Sequence, residues 1–163
     1  MLRLLPMIPL ELSDMVFDFL HDDVATLCSA GLVCKSWVPA SRFHLFSEVK
    51  FVLGYESCEL ELELICAEHS TIPPYVLSLE IMGSGETEGE TEDEMTLRLP
   101  LLSNLKTLRL VEINMTILTP VAKKRFISLL QNLTTLDLDY CEVRKYFSLY
   151  LHSFCLICDI GTV

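Results

Sequence analysis

The chain has 163 residues, 51% of them apolar, and a formal net charge of −11. That length holds one ordinary domain or two small ones. The acidic balance excludes the basic face that nucleic acid requires and argues against anionic membrane surfaces. Mean hydropathy is high at +0.42, yet no run reaches the ~20 unbroken apolar residues of a membrane helix. An apolar excess without a span points to exposed patches that meet protein partners.

The opening Met1-Leu-Arg-Leu-Leu-Pro is too short, and too soon interrupted by Pro9 and Glu11, for a signal peptide. The seven cysteines are therefore expected to be reduced thiols. Cys28, Cys34 and Cys66 lie in apolar runs and are expected as small core residues. Asn114-Met115-Thr116 and Asn132-Leu133-Thr134 fit the glycosylation pattern, which is coincidental in an unexported chain.

Pro9 suits the first turn of a helix, and Glu11 then sits near its positive end. Leu12, Val16, Phe19 and Leu20 form one apolar stripe, with Ser13, Asp14 and Asp18 on the other face. Asp22 or Asp23 can cap a second helix carrying Val24, Leu27, Cys28 and Ala30, with Gly31 as its stop. A third helical piece holds Val33, Cys34 and Trp37, and Pro39 must kink or restart it. Three helices this short bury too little surface to be very stable alone. Their apolar surplus predicts a partner groove; the plainer reading is a helical cap on the rest of the chain.

Ile8-Pro9-Leu10-Glu11-Leu12, then Leu32-Val33-Cys34-Lys35-Ser36-Trp37, then Leu45-Phe46 resemble an F-box across residues 5–50. Ile8 and Phe46 stand where that family often has Leu and Trp. The resemblance implies docking onto the Skp-type adaptor of a cullin ubiquitin ligase. It nominates Ile8, Pro9, Leu12, Val16, Leu20, Leu27, Cys34 and Trp37 for adaptor contact. The stripe supports Leu12, Val16 and Leu20, but which helix face is internal and which meets the adaptor stays open.

Farther on, Leu105, Leu108 and Leu110 recur as Leu133, Leu136 and Leu138, all at an offset of 28, as Asn104 and Thr107 recur as Asn132 and Thr135. Leu79 and Ile81 sit 29 residues before Leu108 and Leu110, and Val49 and Phe51 another 30 before those. The L-x-x-L-x-L spacing at a fixed period resembles a leucine-rich repeat. Four strands are expected at about 48–53, 76–82, 107–111 and 135–139, with outer helices between them. Thr119-Pro120 starts one such helix, with Phe126, Ile127 and Leu130 on one face. Ser57 is expected to cap another near Cys58–His69, and Phe147, Tyr150, Leu151 and Phe154 fit a last one.

Gly85 to Glu94 carries six acidic groups and no apolar residue, so it is expected to be a solvated loop; the alternative is a lure for a basic partner. A fifth strand would fall near residues 164 to 166, past Val163, so the repeat region is expected to be incomplete.

No catalytic constellation emerges. Cys155-x-x-Cys158 with His152 lacks the ligands zinc needs. Gly83-Ser84-Gly85 lacks the third glycine of a dinucleotide loop and adjoins repelling carboxylates. The reading is therefore mixed α and α/β: a three-helix F-box over residues 1–46 and a short repeat-like solenoid of about four parallel strands over 47–163. Its expected role is that of a non-enzymatic, cofactor-free substrate-recruiting subunit in the cytoplasm or nucleus. Its expected partners are the adaptor, through it a cullin–RING ligase, and an unidentified target protein. The alternatives are a leucine-rich interaction module without a ligase role, and a truncated F-box protein that competes for the adaptor.

Overall fold

The computed structural model describes residues 9–53, 56–67, 69–83, 102–116 and 118–142. Ile8, the acidic segment 85–94, the helix expected from Phe147, and His152, Cys155 and Cys158 lie outside the described residues. The chain divides into two compact units, Met1–Ser47 and Glu48–Val163.

The first unit contains α1 (Leu10–Phe19), α2 (Val24–Val33) and α3 (Val38–Phe46). Pro9 is the N-cap of α1 and not its first helical residue; its carbonyl accepts from the Leu12 and Ser13 amides, both at 3.1 Å. Asp23 caps α2, accepting from the Thr26 amide at 3.0 Å and the Thr26 hydroxyl at 2.6 Å. These bonds hold its carboxyl below the usual carboxylate range.

Gly31, expected to stop α2, lies inside it, and the helix runs to Val33. Its role is close approach: a Cβ there would sit 3.1 Å from the Ser41 hydroxyl oxygen. Ser41 is buried and donates to the Leu27 carbonyl at 2.6 Å, which ties α3 to α2. Pro39 falls in the first turn of α3, so it restarts the helix and does not kink it. The core of this unit is small: Phe17, Leu27 and Ala30, with Leu20, Trp37, Ala40 and Leu45 packed partly against them.

The second unit is a single parallel sheet of β1 (Glu48–Val52), β2 (Ser78–Met82), β3 (Thr107–Val111) and β4 (Thr135–Asp139), in that order. The helices α4 (Glu56–Ile65) and α5 (Pro120–Leu130) complete a mixed α/β unit. Glu48 pairs with Ser78, Ser78 with Thr107, and Thr107 with Thr135. The spacing of 28–30 residues that aligned the leucines is thus the pairing register.

Alternate side chains point to one face, which stacks Val49, Leu79, Leu108 and Leu136 in one row and Phe51, Ile81, Leu110 and Leu138 in the next. These rows form one core with Leu62, Ile65 and Cys66 of the α4 region and Ala122, Phe126, Leu129 and Leu130 of α5. α5 starts as expected, with the Thr119 hydroxyl accepting from the Ala122 amide at 3.3 Å. α4 begins at Glu56, so Ser57 lies within the helix and does not cap it.

The entries to β3 and β4 share one device. The Leu77 carbonyl accepts from the Lys106 and Thr107 amides, and the Lys106 carbonyl accepts from the Thr134 and Thr135 amides. The exits match as well: Glu112 and Tyr140, each just past a strand, take left-handed φ of 56° and 53°. Gly83, just past β2, passes so near the next chain segment that a Cβ would collide with the Glu112 carbonyl oxygen. Gly83→Ala is therefore expected to destabilise the second unit by about 1–3 kcal/mol, and Leu108→Ala, at a fully buried position, by about 2–5 kcal/mol. Urea unfolding followed by far-UV circular dichroism checks both; the only tryptophan, Trp37, belongs to the first unit.

Candidate functional site

Two surfaces stand out. The first is the outer face of α1. Ser13 and Phe17 point into the first unit, Phe17 meeting Trp37 edge-on with ring centroids 5.7 Å apart. The Ser13 hydroxyl donates to the Pro9 carbonyl at 3.4 Å, so its burial leaves no unpaired group. The stripe expected from periodicity consequently faces outward: Leu12 is 52% exposed, Val16 56% and Phe19 88%. With Met15 and Leu20 they line an open apolar groove of about 590 Å³.

Among the nominated residues, the fold brings Leu12, Val16 and Leu20 together on this groove. Pro9 is exposed at the helix start. Leu27 is wholly buried and belongs to the core, because α2 turns that residue toward Phe17; it offers no surface to a partner. Trp37 is half-buried against the same core. Cys34, expected in the core, is exposed in the turn between α2 and α3, as is Cys28 on α2. A hydrogen bond to Ser36 at 3.1 Å pushes the Cys34 thiol pKa down. Met15 and Phe19 were not nominated, although both share the Leu12 face at helical spacing. Val24, Leu32 and Val33 of α2 and Phe43 of α3 are also exposed.

The second surface is the outward face of the sheet. Its middle row reads Lys50, Glu80, Arg109 and Asp137 from β1 to β4. Lys50 pairs with Glu80 at 2.9 Å, and Arg109 reaches Asp137 at 3.2 Å, Asp139 at 3.4 Å and Glu80 at 4.0 Å. Parallel strands lie about 4.8 Å apart, so like charges here would repel and opposite ones bond laterally. The apolar pattern did not point to this row. Applying the same 28–30 spacing to the residues between the leucines would have found it.

No group of His, Cys, Asp and Glu among the described residues could hold a metal ion. No helix among them is long and apolar enough to cross a membrane. No protein-family model, no curated protein and no solved structure matches the chain.

The hydrogen bond from Lys50, with the charges of Lys50 and Arg109, holds the Glu80 carboxyl below the usual carboxylate range. A carboxylate whose pKa falls on folding stabilises the fold above its unfolded pKa and loses that contribution as pH drops through the folded one. The urea midpoint of the second unit is therefore expected to hold from neutral pH to about 5 and to decline below about 4. The decline should be shallower in Glu80→Gln; equal acid slopes for the two proteins would refute this role.

Proposed function

We propose that the chain is a substrate-recruiting F-box subunit of a Skp–cullin–F-box ubiquitin ligase. The observation that carries this reading is the open apolar face of α1, where Leu12, Met15, Val16 and Phe19 lie side by side on a unit with a very small core. Covering such a face is favourable, at roughly 1.5–3 kcal/mol for each large side chain fully buried, and a patch of this kind on a folded unit marks a protein contact. The motif spacing from Ile8 to Phe46 supports the Skp-type adaptor as the occupant.

In this reading the adaptor holds the first unit, and the cullin carries the RING subunit and the loaded E2. The second unit, a short leucine-rich-repeat-like solenoid, holds the target. The chain forms no thioester with ubiquitin; it raises the local concentration of target near the E2. The place of action is the cytoplasm or nucleus.

The contact set tracks the exposed face and excludes the buried Leu27. A triple variant, Leu12→Ala, Val16→Ala and Phe19→Ala, is expected to lower affinity for the co-expressed adaptor on the order of a hundredfold or more. Its far-UV spectrum and thermal midpoint should stay near wild type, because all three side chains are exposed. Leu27→Ala, by contrast, should unfold the first unit. Undiminished co-purification of the folded triple variant would eliminate α1 as the docking face. Failure of the wild-type chain to capture adaptor would eliminate the ligase reading itself.

A further inference from the structure

The middle row of the outward sheet face is cation, anion, cation, anion: Lys50, Glu80, Arg109, Asp137. An alternating row with an even number of members is its own complement when reversed. We propose that this face is a self-association surface whose occupant is a second copy of the chain, laid sheet against sheet about a two-fold axis parallel to the strands.

Such an axis reverses strand order while keeping strand direction. β1 then faces the partner's β4, and β2 faces its β3. Lys50 meets the partner's Asp137, and Glu80 meets the partner's Arg109, each pair occurring twice. One flanking row agrees at the centre of the face: Ser78 lies opposite the partner's Thr107, hydroxyl on hydroxyl, a couple that comes from the β2–β3 register. The other two-fold axis in the interface plane, perpendicular to the strands, would set each strand on itself and bring Lys50 to Lys50 and Asp137 to Asp137. Like charges in contact disfavour that arrangement, so the charge pattern selects one of the two.

Three members of the row are open to contact, the side chains of Lys50, Arg109 and Asp137 being 73%, 44% and 48% exposed, and Glu80 is 21% exposed. Each charge already has an opposite neighbour within its own sheet, so none enters the interface as an unpaired ion, the costly case. The face is small. Four strands about 4.8 Å apart and five residues at about 3.3 Å each give on the order of 300 Å², well below the ~800 Å² per partner of stable complexes. The association is therefore weak, concentration-dependent and weakened by salt.

Sedimentation velocity on the full chain, from micromolar to hundreds of micromolar and at low and high salt, tests it. Wild type should move from monomer toward dimer with concentration, and less so at high salt. Lys50→Glu and Asp137→Lys each turn both 50–137 pairs into like charges, so each variant alone should stay monomeric. In an equimolar mixture of the two, every such pair becomes opposite in charge again, and a one-to-one heterodimer should return. Circular dichroism establishes that both variants are folded. A monomeric wild type across the range, a single variant that still dimerises, or a mixture of folded variants that stays monomeric would overturn the proposal. Adaptor capture reads the first unit and is scored separately, so the two proposals fail independently.

Discussion

In-register parallel pairing is the constraint on which the second unit depends. It sets residues of equivalent position side by side, about 4.8 Å apart, across four strands. On the inner face this turns a recurring leucine into a continuous apolar row, Leu79 on Leu108 on Leu136, closed at the β1 edge by Val49. On the outer face the same geometry would stack like charges if each strand carried the same residue. The chain alternates sign instead, Lys50, Glu80, Arg109, Asp137, and lateral ion pairs result. Single exposed pairs contribute little. What the alternation provides is compatibility with a register that the buried rows already impose. A slip by one residue would send every leucine to solvent, so core and surface specify the same pairing.

The first unit solves the opposite problem. Ten-residue helices leave few inward positions, and α1 uses them for Ser13 and Phe17. Closeness between helices compensates in part: Gly31 and Ser41 let α2 and α3 meet backbone to side chain, with the Ser41 hydroxyl satisfied by the Leu27 carbonyl. A His44–Asp18 contact at 3.2 Å links α3 to α1. None of this covers Leu12, Met15, Val16 or Phe19, and among the described residues of this small unit no further element lies over them.

The sequence was most legible where one signal had one meaning. The offset of 28–30 residues located all four strands, including β1 and β2, whose own residues carry weak patterns. The Thr119-Pro120 cap, and a cap at Asp22 or Asp23, were readable because a cap depends on neighbours two or three residues away. Legibility failed where local pattern had two solutions. α1 has two apolar-compatible faces, and periodicity finds stripes without saying which one the core takes; the large ring of Phe17, meeting Trp37, decides it. Gly31 looked like a helix stop because its true reason, Ser41 on another helix, is a tertiary contact. Leu27 was drawn into the contact set by motif position, whereas its burial is set by packing against α1 and α3. Cys28 and Cys34 lie in apolar runs, yet the runs belong to a unit with too little interior to take them.

These two outcomes bear on function through one physical link. A partner that binds a folded unit stabilises it in proportion to the logarithm of its concentration over its dissociation constant. That effect matters most where intrinsic stability is least, and in this chain that place is the three-helix unit, with its core of Phe17, Leu27 and Ala30. The apolar side chains it leaves exposed, Phe19 above all, are those that would gain most on being covered. Under the proposed docking, covering these side chains would add to the stability of the first unit. The sheet unit, with its rows of buried leucine, is packed on a larger core than the three-helix unit.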